Sequence, residues 1–199
     1  MRGLFVTFEG IDRSGKTTQA GLLVDALGDE ALGVREPGGT PAGEKVRELL
    51  KDPAVSLSPE AEALLFAAAR SELVAEVILP ALSEGKVVVS DRYLDSSLAY
   101  QGGARGLGID EVERVNHFAT RGLKPDLTFL LDLPPYDAAE RAGETDRFEE
   151  EGAVLQQAVA GSYESLIRAD PQRWRRIDAR QAADDIHAQV MASVKAARE

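Results

Sequence analysis

Short apolar runs alternate along the chain with longer segments that carry apolar residues at helical spacing. The runs predict strands over 3–9, 32–35, 86–90, 127–132 and 174–177. The run at 87–89 is three consecutive valines, and an unbroken apolar centre is typical of parallel strands that are covered on both faces. Because helical patterns separate the strands, the order predicts one α/β domain over residues 1–199, with a parallel sheet and helices on both faces.

The segments between the strands predict helices over 17–27, 42–50, 58–84, 94–100, 110–121, 136–141, 148–169 and 182–197, with a loop over 102–108. Ser58 can cap the longest of them, and Glu60 and Glu62 are well placed in its first turn. This helix is apolar on more than one face. We therefore expect it to be deeply buried or to meet a partner.

Residues 10–17 read Gly-Ile-Asp-Arg-Ser-Gly-Lys-Thr and follow the first predicted strand. The pattern predicts a phosphate-binding loop, because Gly10 and Gly15 let backbone N–H groups approach phosphate oxygens and the next helix begins with its positive end there. We expect Lys16 to reach the β- and γ-phosphates of a nucleotide and the Thr17 hydroxyl to hold Mg²⁺. The alternative is a strand-to-helix turn that happens to contain Lys and Thr.

Ligands of a parallel α/β sheet bind at the carboxyl ends of its strands. Four of the predicted strands are followed by polar or glycine-rich residues, which are Asp12 with Arg13, residues 36–40, Asp91 with Arg92, and the residues after Asp132. The coincidence predicts a single cleft at this edge of the sheet.

Three basic or acidic side chains near these strand ends are candidates for phosphate chemistry. Arg13, inside the phosphate loop, can act as an arginine finger supplied in cis. Asp91 offers a carboxylate near Mg²⁺, and Arg92 offers a planar donor for a second phosphate. The alternatives are a solvated arginine for Arg13 and an ordinary surface ion pair for Asp91 and Arg92.

Phe66 and Arg70 are four residues apart on the longest predicted helix, so they project from the same face. An aromatic ring that stacks on a base, beside an arginine that donates to a carbonyl, would make a base pocket, whereas Phe66 taken alone is more typical of a core residue. The segment Arg147-Phe148-Glu149 can be part of a flap that closes over phosphates. The alternative for that segment is a charged loop.

Composition and charge argue against several classes of protein. The net charge is −11, which argues against a protein that works on nucleic acid or on an anionic membrane. The chain has no cysteine, which excludes disulfides and thiol chemistry. It opens directly on a strand and has no run of 18 apolar residues, so we expect a soluble, cytoplasmic protein.

The motifs together resemble those of bacterial thymidylate kinases over nearly the whole chain. The resemblance is carried by Phe-Glu-Gly-Ile-Asp-Arg-Ser-Gly-Lys-Thr-Thr at 8–18, Arg-Glu-Pro-Gly-Gly-Thr at 35–40, Phe66 with Arg70, Asp-Arg-Tyr at 91–93, Ser-Ser-Leu-Ala-Tyr-Gln-Gly at 96–102 and Asp-Arg-Phe-Glu at 146–149. It implies a P-loop NTPase-type, doubly wound, five-stranded parallel sheet. It also implies transfer of the ATP γ-phosphate to dTMP in dTTP synthesis, by a homodimer that associates through the 60–84 helix.

The resemblance assigns residues to dTMP. Phe66 would stack on thymine, while Arg70 and Ser97 would hydrogen-bond its polar edge. Arg47 and Arg92 would clamp the acceptor phosphate. The other residues implied at this site are Asp12 near the 3′-hydroxyl or the metal region, Glu36 and Pro37, and Tyr100 at the ribose 2′ position with Gln101 beside it.

The remaining implied sites concern ATP, the metal and catalysis. ATP would be bound by Gly10, Ile11, Asp12, Arg13, Ser14, Gly15, Lys16, Thr17 and Thr18, with Arg141 over the adenine. Mg²⁺ would be held at Thr17 and Asp91. A flap over about 137–149 would bring Arg147 to the phosphates. The catalytic set would be Arg13, Lys16, Asp91, Arg92 and Arg147.

One departure from the family pattern concerns the catalytic arginine. Similar bacterial enzymes often carry glycine in the position of Arg13 and supply the arginine from a basic flap. Between Arg141 and Arg147 this chain has no Lys or Arg, only Glu144 and Asp146 as charges. We therefore expect Arg13 to take the catalytic role, as in eukaryotic-type members, although the division of work between Arg13 and Arg147 stays open.

Two other function classes deserve comparison. The nearest is another small-molecule P-loop kinase, for a nucleoside or a different monophosphate. The second is a GTP-dependent switch, which usually carries Asn/Thr-Lys-x-Asp. Leu-Lys-Pro-Asp at 123–126 lacks the first residue of that pattern, and residues 91–94 do not read Asp-x-x-Gly.

Overall fold

The computed structural model describes residues 2–141 and 152–198. Within these ranges the strands form one parallel, five-stranded sheet in the order β2-β3-β1-β4-β5. The strands are β1 (Phe5–Glu9), β2 (Ala31–Arg35), β3 (Val87–Asp91), β4 (Leu127–Asp132) and β5 (Trp174–Asp178). The α/β fold class is confirmed, and each predicted strand lies within two residues of its observed bounds.

The sheet is built around its three central strands. Every residue of β1 is buried, and the rings of Phe8 and Phe129 stack with their centroids 5.2 Å apart. The Thr7 and Thr128 hydroxyls lie 3.0 Å apart, so these two buried polar groups satisfy each other between β1 and β4. The edge strand β2 is only partly buried, as a strand with one neighbour would be.

Helices surround the sheet and follow the predicted order. They are α1 (Lys16–Leu27), α2 (Pro41–Lys51), α3 (Pro59–Leu73), α4 (Leu79–Ser83), α5 (Leu94–Ser97), α6 (Ile109–Thr120), α7 (Pro135–Glu140), α8 (Gly152–Ala169) and α9 (Ala183–Arg198). Ser58 caps α3 as predicted, because its hydroxyl accepts the Ala61 N–H at 3.2 Å. Along the described parts of the chain, none of the helices combines the length and the apolarity needed to cross a bilayer.

The predicted 58–84 helix is not one regular α-helix. A π-helical turn, Val74–Ile78, separates α3 from α4, and the Leu79 N–H bonds to the Val74 carbonyl five residues back. Pro80 follows at once and has no N–H to donate, which favours a break in the regular hydrogen-bond ladder at this point. In the second half Ile78, Ala81 and Leu82 are buried in the core and Val77 and Leu79 are partly buried, whereas Leu64 in the first half is 58% exposed.

The predicted loop over 102–108 is partly wrong. A second π-helical segment, Leu98–Ala104, continues α5 through Gly102 and Gly103. A Cβ on Gly103 would stand 1.9 Å from the Ser162 hydroxyl oxygen of α8. Gly102 and Gly103 therefore allow the helices to pack closely. In the sequence, glycines with this role cannot be distinguished from glycines in a loop.

Candidate active site

The loop between β1 and α1 has the backbone geometry that its glycines predict. Gly10 has a φ of 141°, and a Cβ there would lie 2.7 Å from the Leu131 carbonyl oxygen. Lys16 is 6% exposed, and its ammonium donates to the Ile11 carbonyl at 2.6 Å and to the Ser14 hydroxyl at 3.3 Å. Burial, together with the charge of Arg92, lowers the pKa of Lys16 to about 8.

The ends of β3 and of the loop meet because β3 lies beside β1 in the sheet. Thr17 donates its hydroxyl to a carboxylate oxygen of Asp91 at 2.5 Å. These hard oxygen atoms suit Mg²⁺, which is usually held by one or two protein side chains with substrate phosphates and waters completing the shell. Among the described residues no cluster of three or more His, Asp or Glu side chains could hold a metal alone.

Arg92 reaches from the end of β3 into the loop. One of its terminal nitrogens donates to Asp12 Oδ1, and the other donates to the Gly10 carbonyl at 3.2 Å and to Ser96 Oγ at 3.1 Å. Its guanidinium also lies 5.3 Å from the centre of the Tyr100 ring. Burial raises the pKa of Asp12, but the nearby Arg92 and Lys16 outweigh burial, so the pKa lies below its usual value.

Gln156 on α8 completes the surroundings of Asp12, and sequence reasoning missed it. Its amide nitrogen donates to Asp12 Oδ2 at 2.7 Å, and its amide oxygen accepts the Asp12 N–H at 3.2 Å. The Tyr100 hydroxyl donates to the same carboxylate oxygen at 3.2 Å. A glutamine inside an amphipathic helix carries no sequence signal for this contact, since its partner is 144 residues away.

At the far end of the cleft, Arg70 is fully enclosed. It is 1% exposed, and its Nε and Nη2 atoms lie 2.7 and 2.6 Å from Glu36 Oε2. Its Nη1 donates to Ser97 Oγ at 3.0 Å and to the side chain of Asn116. Burial raises the pKa of Glu36, and Arg70 opposes this shift. Phe66, one turn earlier on α3, is half-buried and lies outside the core cluster.

Gln101 is buried, and a carboxylate behind it holds its side chain. The amide nitrogen donates to Glu62 Oε1 at 2.9 Å. Arg105 donates from Nε to the same oxygen at 3.1 Å and from Nη2 to the other carboxylate oxygen at 3.2 Å. The orientation of Gln101 is therefore set from outside the cleft.

Most of the side chains described above line one cleft of about 340 Å³ at the carboxyl edge of the sheet, whereas Gln156, Glu62 and Arg105 are not among its lining residues. Of the residues predicted from sequence, it contains Asp12, Arg13, Lys16, Thr17, Glu36, Pro37, Arg47, Phe66, Arg70, Asp91, Arg92, Ser97, Tyr100 and Gln101. Arg35, Lys51 and Ser96 also line it, although the sequence pattern assigns them no role.

The other predicted residues lie around this cleft. Gly10, Ile11, Ser14, Gly15 and Thr18 complete the loop and the start of α1. Arg141, at the end of α7, donates to the carbonyls of Arg13 at 3.1 Å and Ala179 at 2.6 Å. Arg147, and with it most of the predicted flap, lies outside the described residues.

The near match to a guanine-specificity motif has a different role. Asp126 directly precedes β4, at the edge of the sheet opposite the cleft. Its carboxylate accepts hydrogen bonds from the Phe5 N–H at 2.8 Å and from the Arg2 guanidinium at 2.9 Å. A base recognised by Asp126 would be remote from Lys16, which argues against the switch.

Comparisons with known proteins agree with this geometry. A family model described as thymidylate kinase matches residues 8–190. The thymidylate kinase of Thermoanaerobacter sp. strain X514 is 46% identical over 200 residues, which cover 98% of each chain. That of Pelotomaculum thermopropionicum is 47% identical and covers all of this chain and 94% of the relative.

A solved structure of the same family also matches this chain. The crystal structure of thymidylate kinase from Ehrlichia chaffeensis matches with a TM-score of 0.82 at 30% identity, over 98% of this chain and all of that one. A family match over most of the chain, full-length relatives and a shared fold lead to one conclusion. This chain belongs to the thymidylate kinase family.

Proposed function

We propose that this protein transfers the γ-phosphate of ATP to dTMP, giving dTDP for dTTP synthesis, and that the cleft at the carboxyl edge of the sheet binds both nucleotides. Family membership supports the reaction. One observation supports the location above all others, namely that Lys16 of the phosphate loop and Arg70 of the enclosed pocket line the same cleft. A cleft with one cationic end and one aromatic, hydrogen-bonding end suits two phosphates that meet beside a base.

The phosphate end would act by position and charge. The acceptor phosphate of dTMP is already an anionic oxygen nucleophile, so no general base or covalent intermediate is required. The difficulty is to bring two anions together in line, which requires positive charge around both. Lys16 and Arg13 would neutralise the transferred group, and Arg92 with Arg47 would hold the acceptor phosphate.

The base end would select thymine. Phe66 offers a ring for stacking. Arg70 already donates to Glu36, Ser97, Asn116 and the Tyr93 carbonyl, so it would donate to a base carbonyl by exchanging one of these contacts. Glu36 holds the Arg70 guanidinium, and Pro37 lies beside Glu36 in the cleft wall. Tyr100 and Gln101 would border the sugar, where a buried tyrosine ring disfavours a 2′-hydroxyl.

Mg²⁺ fits the oxygen atoms at the loop. Thr17 and Asp91 would hold the ion, with Asp12 nearby, and the bound ion would supply additional positive charge to the phosphates. Arg141 would lie over the adenine of ATP, and Arg147 would approach the phosphates from the flap over about 137–149. The rest of the chain would belong to the same single nucleoside monophosphate kinase domain.

A homodimer through α3 is part of the proposal. Leu64 on α3 is 58% exposed, and Phe118 on the neighbouring α6 is 89% exposed. Large apolar side chains on two adjacent helices are typical of a surface that a second copy covers. The burial of the second half of the predicted long helix in the core limits this surface to its first half.

A coupled assay of ADP release over a panel of acceptors tests the function. With ATP and Mg²⁺ present, we expect dTMP to be turned over with a higher kcat/KM than dUMP, dCMP, dAMP, dGMP or thymidine. Preference for a nucleoside, or for another monophosphate, would assign the cleft to a different P-loop kinase. GTP binding without turnover of any acceptor would revive the switch.

A further inference from the structure

Gln156 lies outside the set of described residues that line the cleft, yet it contacts a residue that does. It is 9% exposed and sits on α8, whereas its partner Asp12 belongs to the phosphate loop. Gln156 therefore acts on a ligand through the cleft residues that it contacts. These are chiefly Asp12 and also Tyr100, whose hydroxyl lies 3.5 Å from the Gln156 amide oxygen. Its contacts therefore decide whether it has a role beyond packing.

The amide recognises Asp12 at two points. Its nitrogen donates to Oδ2 at 2.7 Å, and its oxygen accepts the main-chain N–H of the same residue at 3.2 Å. These two bonds fix both the backbone and the carboxylate of Asp12. They also direct this one N–H of the loop toward α8, so it is not available to a phosphate.

The other oxygen of Asp12 accepts a hydrogen bond from Arg92. Asp12 thus stands between an amide on one side and a guanidinium on the other. Its orientation sets where Arg92 points, and Lys16 lies close enough to attract the same carboxylate if it turns. A carboxylate that turned toward Lys16 would release Arg92 and would also neutralise the cation meant for phosphate.

We infer that Gln156 is a positioning residue for phosphoryl transfer, which holds Asp12 so that Arg92 faces the acceptor phosphate. The inference rests on the proposed function for the identity of that phosphate. It assigns to α8 a part in substrate binding without contact with the substrate.

The chain offers a matched control in the next residue. Gln157 is exposed on the same helix, so substitutions there change the same chemistry without touching Asp12. Gln156→Met keeps the length of the side chain and removes both hydrogen bonds to Asp12, together with the longer contact of 3.5 Å to the Tyr100 hydroxyl. We expect it to lower kcat/KM for dTMP by about 10- to 100-fold, the range for loss of a hydrogen bond to a charged group. KM for dTMP should rise more than KM for ATP, and Gln157→Met should stay within about twofold of the original protein.

Gln156→Glu gives a readout that a packing role would not produce. The charged and titratable groups around this contact are Asp12, Arg92, Lys16 and Tyr100. At pH 8 a second carboxylate repels Asp12, and activity should fall as in Gln156→Met. At pH 5.5 to 6 a shared proton lets the introduced carboxyl donate to Asp12 Oδ2, as the amide does, so dTMP binding measured by calorimetry should recover at least fivefold relative to Gln156→Met.

The outcomes distinguish a failure of the proposed function from a failure of the positioning role of Gln156. If the unsubstituted protein does not turn over dTMP, the proposed function fails. If it does, but Gln156→Met remains within twofold or Gln156→Glu shows no recovery at low pH, the positioning role is overturned. Should Gln156→Met melt early, the pH dependence of Gln156→Glu against Gln157→Glu decides the question.

Discussion

Arg13 and Arg141 bind each other's main chain. The guanidinium of Arg13 donates to the Arg141 carbonyl at 3.0 Å, and the guanidinium of Arg141 donates to the Arg13 carbonyl at 3.1 Å. Arg13 also has a φ of 62°, a conformation that few non-glycine residues adopt. The phosphate loop is therefore tied to the end of α7 through the residue that we expect to act as the arginine finger.

Replacement of Arg13 by alanine tests that role. Because the guanidinium would stabilise charge only as the phosphoryl group transfers, we expect kcat to fall by about 10³-fold with a modest change in KM. Single-turnover kinetics measure the chemical step directly. Arg114→Ala, at a side chain that is 69% exposed, serves as the control. A loss below about tenfold would assign the finger to Arg147.

Replacement of Arg70 by alanine should weaken dTMP binding by about 10- to 100-fold and leave ATP binding nearly intact. The reason is that Arg70 lies in the part of the cleft that we propose for the base, away from the phosphate loop. Titration calorimetry with each nucleotide measures the two affinities, and ATP binding shows that the variant is folded. Arg70→Lys keeps the charge but loses the planar fork, so it should not restore full affinity. Equal weakening of both nucleotides would contradict the assignment.

Glu9, at the end of β1, predicts a dependence of stability on pH. Burial and the nearby Asp95 raise its pKa to about 7 from 4.5, against hydrogen bonds from Ser96 and Tyr163. Between these values the folded protein holds a proton that the unfolded chain releases, so the free energy of unfolding falls as pH rises through this window.

We expect Glu9→Gln to remove this dependence, because the amide does not titrate. The difference in unfolding free energy between the two proteins should change by about 2 kcal/mol between pH 5 and pH 8. Urea titrations at several pH values measure it, with the exposed Glu48→Gln as control. Parallel curves for the original protein and Glu9→Gln would show that Glu9 stays ionised throughout.

Replacement by alanine is expected to have opposite effects on stability at Gly103 and at Gly161. A Cβ on Gly103 would meet Ser162 at 1.9 Å, whereas a Cβ on Gly161 would meet nothing within 4 Å. Gly103→Ala should therefore destabilise the fold by about 1–3 kcal/mol. Gly161→Ala, in the interior of α8, should stabilise it by about 0.5–1 kcal/mol. Thermal melting distinguishes them, and a Gly103→Ala variant as stable as the original would refute the close packing.

The proposed dimer surface can be tested by placing charges on it. Leu64→Glu combined with Phe118→Glu would bury unpaired carboxylates against a second copy, so the mass measured by light scattering should fall from twice the chain to one chain. Val154→Glu, at an equally apolar and 85% exposed position on α8, should not change the mass. A double variant that stays dimeric would place the interface elsewhere.

The sequence predicted the elements of the site better than their arrangement. β4 was predicted at its exact bounds, because an apolar run ends there at Asp132 before two prolines. The spacing of Gly10, Gly15, Lys16 and Thr17 predicts the phosphate loop, because the two glycines let the backbone approach phosphate oxygens. The resemblance implies that Asp91 and Thr17 share one Mg²⁺, but no local pattern shows it. Their proximity depends on the pairing of β3 with β1, and strand order is not visible in local patterns.

What escaped prediction has physical causes. The π-helical turns, Val74–Ile78 and Leu98–Ala104, shift the hydrogen bonding by one residue without a change in the apolar pattern. Lys51 and Arg35 line the cleft, but an exposed basic residue on a helix or an edge strand looks the same whether it faces a ligand or water. Gln156 depends on a contact across 144 residues. Long-range pairing of ordinary residues leaves no signal in a single chain.

Strand β1 is held at both ends by side chains from other parts of the chain. Asp126 accepts the first N–H of the strand, at Phe5, and Glu9 at its last position accepts the Tyr93 N–H and the Ser96 and Tyr163 hydroxyls. The backbone of residues 10–17 therefore continues from a strand that is fixed at both ends. Little conformational entropy remains to be lost when a phosphate settles on those amides, and this preorganisation leaves more of the interaction energy to appear as affinity.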